Sequence, residues 1–486
     1  IYRNVKLIKG NRIHLACEGV HISVKNADST VATLGAQIEI ENRHLESKKI
    51  KVEITLKDSE NRIAAENNVP VTIWEGTKEK INIPLFIREP HLWDENHPYL
   101  YQYEVRVTDN GEVLDTEQGA YGIRTMTLDV INGLRINGKT VKLKGCCIHH
   151  DNGVIGAVES RHAAELRIQK LKEAGYNAIR SAHNPMSRAL LDACDKYGMY
   201  VMDEFTDVWT STKVDFDYGN EFSEWWEYDL KQMVYKDYNH PSVIMYSIGN
   251  EIPETGNSID CAWGKKLAAK IRELDSTRYT INCINLMMSV IDRLPEVVSE
   301  VSDDVSEINS LMTFLGTSMD KITGSEYVAK ATEESCAAVD IVGYNYAAVR
   351  YGIDQERFPH RIVLGSETNP RDLAENWVLV EKYPNVLGDF SWAGWDYIGE
   401  SGIGRTLHGD EIPGISGEYP WRTAYCGDFD ILGNRRPVSY WRESIWSNEN
   451  VTGIAVQPPV YYGQKVNMTQ WGFSDSVRSW NFSGYE

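Results

Sequence analysis

The stretch VIMYSIGNE, Val243–Glu251, decides how the fold is read. Its apolar run, Val243–Ile248, is too short for an ordinary helix and suits a strand buried on both faces, and it stops at Gly249-Asn250-Glu251. IVLGSET, Ile362–Thr368, repeats the build: a short apolar run closes on Gly365-Ser366-Glu367. Buried strands that each end in a carboxylate are what a parallel barrel presents at its C-terminal mouth, where strand-end side chains converge.

Outward from these two, six more short apolar runs can be read as strands: Val141–Cys147, Ala178–Ser181, Met199–Met202, Tyr279–Ile284, Ile341–Tyr344 and Val386–Trp392. Amphipathic stretches at Ser160–Ala174, Met186–Tyr197, Glu221–Tyr238 and Ala262–Leu274 fall between them, the first with Ser160 as a helix N-cap. Eight strands with crossover helices predict a (β/α)8 barrel. The competing α/β reading is a doubly wound open sheet, weakened because no GxGxxG or GxxxxGK[ST] follows any strand. Two long connections, Thr206–Glu221 and Asn285–Glu326, read as walls of a site at the mouth. The second, with Asp303, Asp304 and Glu307, reads equally as a solvated acidic helix.

Before the barrel, residues 1–124 read as β structure. Thr33–Glu41, Lys49–Lys57, Val71–Ile83 and Tyr101–Thr108 alternate apolar and polar, which predicts a sandwich. Ile1–Leu7 has strand character without a partner of its own, and the tail turns β-like again at Val451–Gln457 and Gln464–Met468. Both ends therefore read as partial β segments of a longer chain.

Composition narrows the function classes. A formal charge of −20 argues against a nucleic-acid partner, because a polyanion would be repelled over most of the surface. No apolar run is long enough to predict a membrane span. The eight cysteines show no CxxC or Cys/His metal spacing and read as buried free thiols of a reducing, cytoplasmic compartment, with secretion left open by the N-terminus. Fourteen Trp and 26 Tyr against 10 Phe favour aromatics with a polar handle, which suit surfaces that touch sugars as well as ordinary cores.

The chemistry follows from the two carboxylates. No Arg or Lys neighbours Glu251 or Glu367 in sequence, so a purely structural role would leave each without a local counter-charge. Two carboxyls across a cleft are what acetal hydrolysis needs: one gives a proton to the leaving oxygen, the other attacks the anomeric carbon or activates water. Asn250, beside Glu251, offers an amide for a sugar 2-hydroxyl.

SIGNE, GSET, YNAIRSAHNP (Tyr176–Pro185) and GCCIHHDNG (Gly145–Gly153) together resemble glycoside hydrolase family 2, whose members include β-galactosidases, β-glucuronidases and β-mannosidases. The resemblance implies that residues 1–8 end a sugar-binding jelly roll, 9–124 form an immunoglobulin-like β-sandwich, 125–447 the catalytic barrel, and 448–486 begin a further β-domain. It implies Glu251 as acid/base and Glu367 as nucleophile of a retaining enzyme. His149 and His183 match histidines of the sugar subsite, and Arg180 matches an arginine whose charge keeps the nucleophile ionised. Tyr346 matches a tyrosine that contacts the nucleophile, with Tyr344 close enough to compete for the role. One of Trp392 and Trp395 is expected under the sugar ring and the other in the core, and Asp151 is a candidate for a sugar hydroxyl.

The sequence departs from the glucuronidase pattern, which has an Asn-x-Lys pair beyond the eighth strand. Asn434-Arg435-Arg436 mimics that pair but matches better the basic-Pro helix start. A terminal β-D-galactoside is therefore the expected substrate. Asp203 to Trp209 lacks the ligand pattern of galactosidase magnesium sites, so neither a metal nor another cofactor is expected. A homo-oligomer is compatible with these features. The rival reading from another class is a carbohydrate-binding fragment without turnover.

Overall fold

A computed structural model describes residues 3–301, 319–411 and 416–485. Val31–Asn42 buries every second residue, as a strand with one face in a core must. This strand, β2, pairs antiparallel with β1 (Ile13–Ala27) and β5 (Lys78–Arg88). β3 (Lys48–Lys57), β4 (Ile63–Ile73), β6 (Tyr101–Asp109) and β7 (Glu112–Tyr121) form a second sheet in the order β4-β3-β6-β7. Three strands facing four make an immunoglobulin-like sandwich, with Leu34, Ile38, Val52, Ile54, Ile83 and Val105 in the shared core.

One expectation for this half needs correction. Val71–Ile83 is not one strand. A turn at Trp74–Thr77, with Gly76 at φ +65°, ends β4 and carries the chain into β5 in the opposite sheet. Alternation records only in-out parity, which both arms keep, and cannot register a change of sheet. β1 escaped notice for the opposite reason, since Val20, His21, Ile22 and Ser23 are buried in succession. Its outer face is covered by the second half of the protein.

After three short strands, β8 (Met126–Asp129), β9 (Gly133–Ile136) and β10 (Lys139–Thr140), the chain enters a closed parallel barrel. Its strands are β11 (Leu143–Ile148), β12 (Ala178–Ser181), β13 (Tyr200–Glu204), β14 (Val243–Asn250), β15 (Tyr279–Asn285), β16 (Ile341–Asn345), β17 (Val363–Thr368) and β18 (Val386–Ser391). β18 pairs with β11 to close it. Successive strand residues alternate between two cores. Cys147, Ala178, Met202 and Leu364 join the inner one, whereas Cys146, Ile179, Val201 and Val363 join the layer under the helices. The helices include α1 (Arg161–Glu173), α2 (Arg188–Tyr197), α3 (Gly219–Asp237) and α4 (Ala262–Leu274). Ser160 caps α1, its hydroxyl accepting from the Ala163 amide at 3.3 Å.

The sandwich is joined to the barrel along β1. The Asn239 amide, just beyond α3, donates to Val20 O at 2.6 Å and accepts from Ile22 N at 2.9 Å. His21 stacks on Tyr238 at 4.2 Å and meets the edge of Tyr235 at 4.5 Å. Behind the barrel mouth, β19 (Thr406–His408) pairs with β20 (Val466–Met468), so the tail folds back onto the barrel.

Val451–Gln457 forms no strand and contributes one bridge, Val456 to Val477. Residues 3–7 form none, and Ile1 and Tyr2 lie outside the described residues, as do Asp303, Asp304 and Glu307. All eight cysteines are free thiols, Cys17 alone exposed. No helix among the described residues is long and apolar enough to cross a membrane.

Candidate active site

The carboxylates and their partners gather where β12 to β17 end. Arg180, in β12, is fully buried and spans three strands. Its Nη1 donates to Glu367 Oε2 at 2.8 Å, its Nη2 to Asn250 Oδ1 at 2.6 Å, and Nε and Nη2 grip Glu204 Oε2 at 3.0 and 2.8 Å. A buried ion pair holds only when the remaining lone pairs are satisfied. Glu204 meets that condition, accepting also from Ser247 Oγ at 2.7 Å and lying 2.7 Å from His183 Nδ1. Although burial works the other way, Arg180 and these hydrogen bonds hold Glu204 down at about 2. Burial alone would also lower His183, but the Glu204 carboxylate reverses this and raises it.

Glu367 is gripped differently. Oε1 accepts from the Tyr346 hydroxyl at 2.6 Å, while Oε2 accepts from Arg180 and, at 3.3 Å, from Asn345 Nδ2. Burial lifts its carboxyl above the ordinary value, against the pull of Arg180, and the nearby Glu251 adds to the rise. Arg180 acts on Glu367 in the expected direction, but its charge is shared with Glu204, and desolvation of Glu367 outweighs its pull.

Glu251 follows β14 at φ +47°, a turn that aims its half-buried side chain into the mouth. Its Oε1 accepts from Asn285 Nδ2 at 2.8 Å and from Asn345 Nδ2 at 3.2 Å. One amide nitrogen thus touches both carboxylates, so Glu251 Oε1 and Glu367 Oε2 are at most about 6.5 Å apart. Asn250 is held by Arg180 and Asn345 on its oxygen and by Asp207 Oδ1, at 2.8 Å, on its nitrogen.

An aromatic wall stands beside the carboxylates. Trp392 lies parallel to His183 at 5.3 Å, with His149 edge-on at 5.2 Å, and its indole donates to the Tyr397 hydroxyl at 3.0 Å. Burial, then the neighbouring His183, pushes His149 down to about 3, so its imidazole is neutral at pH 7. Asp151 is at the rim, accepting from the Ile398 amide at 3.3 Å, and burial raises its carboxyl.

Two ambiguities of the sequence end here. Trp395 is not in the wall: it stacks on Phe429 and lies under Arg167, in the core beneath the helices. Tyr344 turns away to Asp354 at 2.6 Å, whereas Tyr346, at φ +55°, points to Glu367. The sequence reading missed Glu204, Asn285, Asn345, Tyr397 and Trp471, whose indole donates to the Tyr346 hydroxyl at 2.9 Å. Glu204 had a usable signal, a carboxylate closing a buried strand as Glu251 and Glu367 do. Trp471 had none. Among the described residues no cluster of His, Cys, Asp and Glu is arranged to hold a metal ion.

Comparison with known proteins bears on this geometry. The family described as "Glycosyl hydrolases family 2, TIM barrel domain" matches residues 130–336, and "Glycosyl hydrolases family 2" matches 13–124. β-Galactosidase BoGH2A of Bacteroides ovatus is 29% identical across 96% of this chain and 58% of its own length. A β-glucuronidase of Bacteroides fragilis is 26% identical across 86% and 59%. The crystal structure of a family 2 member from Bacteroides cellulosilyticus superposes with a TM-score of 0.83 at 35% identity, covering 98% of this chain and 56% of that one. The chain thus spans a little over half the length of these proteins.

Proposed function

The chain belongs to glycoside hydrolase family 2, and from that premise we propose that it hydrolyses β-glycosides with retention, Glu367 attacking and Glu251 serving as acid/base. The observation that carries the assignment is the asymmetry around one shared amide. Asn345 touches both carboxylates, but only Glu367 also receives a guanidinium and a phenol. Against the burial that raises Glu367, these donors favour its anion, the form a nucleophile needs, and the reading gives the proton to Glu251, which has neither guanidinium nor phenol. The short spacing favours double displacement, which needs carboxyls about 5–5.5 Å apart, over inversion, which needs room for a water.

In the first step a Glu367 oxygen bonds to the anomeric carbon while the bond to the leaving oxygen breaks, and the Glu251 proton passes to that oxygen. In the second, water gives its proton to Glu251 and its oxygen to the anomeric carbon, releasing Glu367. On this reading Asn250 is assigned to the sugar 2-hydroxyl, Trp392 to the apolar face of the ring, and His149, His183 and Asp151 to further hydroxyls.

The finer reading is a terminal β-D-galactoside. It is supported by the galactosidase name of the Bacteroides ovatus relative and by the engagement of both arginines in Asn434-Arg435-Arg436, the stretch that mimics the glucuronidase Asn-x-Lys pair. Arg435 donates to Ser439 Oγ at 2.8 Å, and Arg436 pairs with Asp396 at 3.1 Å. The second reading, a β-glucuronide, has the name of the Bacteroides fragilis relative in its favour. Aryl β-D-galactoside, β-D-glucuronide and β-D-mannoside assayed with wild type and Glu367→Ala decide between them. Turnover of the galactoside alone, lost in the variant, is expected. Preference for the glucuronide overturns the galactose reading, and no turnover of any overturns the enzyme reading.

A further inference from the structure

Trp471 reaches the site from outside the barrel strands. The segment around it is tied to the loop after β18: Thr469 Oγ1 donates to Ile403 O, and Thr406 Oγ1 donates to Phe473 O at 3.0 Å. β20, just before it, pairs with β19. So anchored, the indole sets its ring edge-on to Tyr346, centroids 5.9 Å apart at 87°, and directs its N–H at the phenol oxygen 2.9 Å away. The same phenol oxygen lies 2.6 Å from Glu367 Oε1.

The donor inventory makes this arrangement directional. An indole N–H only donates, and a phenol has one proton to give. With Trp471 on the phenol's lone pair, the Tyr346 proton is left pointing at Glu367. We propose that Trp471 is a positioning residue for the nucleophile: it locks the Tyr346 hydroxyl as a donor to Glu367, so that a segment outside the barrel strands completes the catalytic carboxylate's environment. The inference rests on the reading of Glu367 as nucleophile. It goes beyond that reading by adding a residue that acts on the carboxylate through Tyr346. Tyr346 cannot serve as an anion here, because burial and then the charges of Glu367 and Glu251 raise its phenol well above the ordinary value. Without the indole the hydroxyl rotor is free to turn, and the carboxylate loses a fixed donor.

Trp471→Phe removes the N–H and keeps a ring for the edge contact. Tyr346→Phe and the double variant complete a cycle. On whichever aryl β-glycoside the wild type turns over best, Trp471→Phe is expected to lower kcat about tenfold, the scale of one hydrogen bond, with KM within about twofold. The acid limb of its pH profile moves up, as in Tyr346→Phe, and in the double variant Trp471→Phe adds nothing. A second readout needs no turnover. The Trp471 indole resonance in a 15N-labelled sample, identified by its loss in Trp471→Phe, shifts upfield in Tyr346→Phe. An unmoved resonance, an unchanged kcat and acid limb in Trp471→Phe, or losses that multiply independently in the double variant each overturn the proposal. If the wild type cleaves no glycoside, the enzymatic reading fails and the proposal with it, whatever the resonance says about the contact.

Discussion

Arg180 carries one positive charge against two buried carboxylates, and its planar fork lets it grip both while also holding Asn250. A lysine offers a point charge that cannot make those bonds together. Arg180→Lys is therefore expected to leave one carboxylate under-satisfied and to lower stability by about 3 kcal/mol, the scale for breaking a buried pair, read by urea unfolding. The same variant should move the acid limb of kcat/KM upward, because a single ammonium cannot stay bonded to both carboxylates and Glu367, already raised by burial, loses its 2.8 Å guanidinium contact. The sign follows from the chemistry: attack needs the ionised carboxylate, so activity falls as pH drops through a raised pKa. Glu251→Ala should lower kcat/KM by about 10²–10⁴-fold for alkyl aglycones, whose oxygen must be protonated to leave. Nitrophenyl aglycones, which leave without a proton, should lose far less in the first step. Equal losses on both would remove Glu251 from the acid role.

At the scale of elements, β1 is the edge strand of its sheet and would expose a row of unpaired backbone groups, a hazard natural sheets cover. Asn239 does the covering: its amide copies one rung of a strand partner, accepting from Ile22 N and donating to Val20 O. Asn239→Ala should cost about 1–3 kcal/mol, from two bonds lost in a part-buried place. Hydrogen exchange should show the Ile22 amide losing protection before the inner strands do. Retained protection at Ile22 would mean that packing by α3, and not the amide, closes the edge. The same element logic explains the two tyrosines. Tyr344 and Tyr346 are two apart, so alternation alone puts both on one face. β16 ends at Asn345, and the left-handed φ of Tyr346 breaks the alternation where the mouth begins.

For the whole molecule, the joint between sandwich and barrel contains a titratable group. His21 is 7% exposed, stacked on Tyr238 and edge-on to Tyr235. Burial pushes it down to about 4, helped by Lys80 and Arg278, with Asp275 and the Glu18 carbonyl opposing. The folded-state value is below the unfolded one, so the unfolded chain binds more protons between about pH 6.5 and pH 4. Stability from this group is complete above pH 6.5 and is lost as pH falls, by about 2 kcal/mol at pH 5 and about 3 at pH 4. His21→Phe keeps a stacking ring and cannot titrate. The difference in unfolding free energy between wild type and His21→Phe should therefore shrink or reverse on acidification, and a difference independent of pH would exclude the linkage.

The sequence by itself determined the periodicities: the sandwich alternation, eight short apolar runs, and the carboxylates that close two of them. Those signals are local, because burial on one or both faces is written into neighbouring residues. What the tertiary structure decided is who meets whom. Arg180 finds Glu367 187 residues away, and Trp471 finds Tyr346 across 125. Glu251 and Glu367 had no counter-charge nearby in sequence, and the barrel supplies Arg180 to Glu367 from another strand. Whether Trp392 or Trp395 faces the site was likewise undecided until the mouth closed around one of them. Strand closure, not composition, sets which side chains share a volume, and a hydrogen bond between distant residues leaves no pattern in either stretch alone.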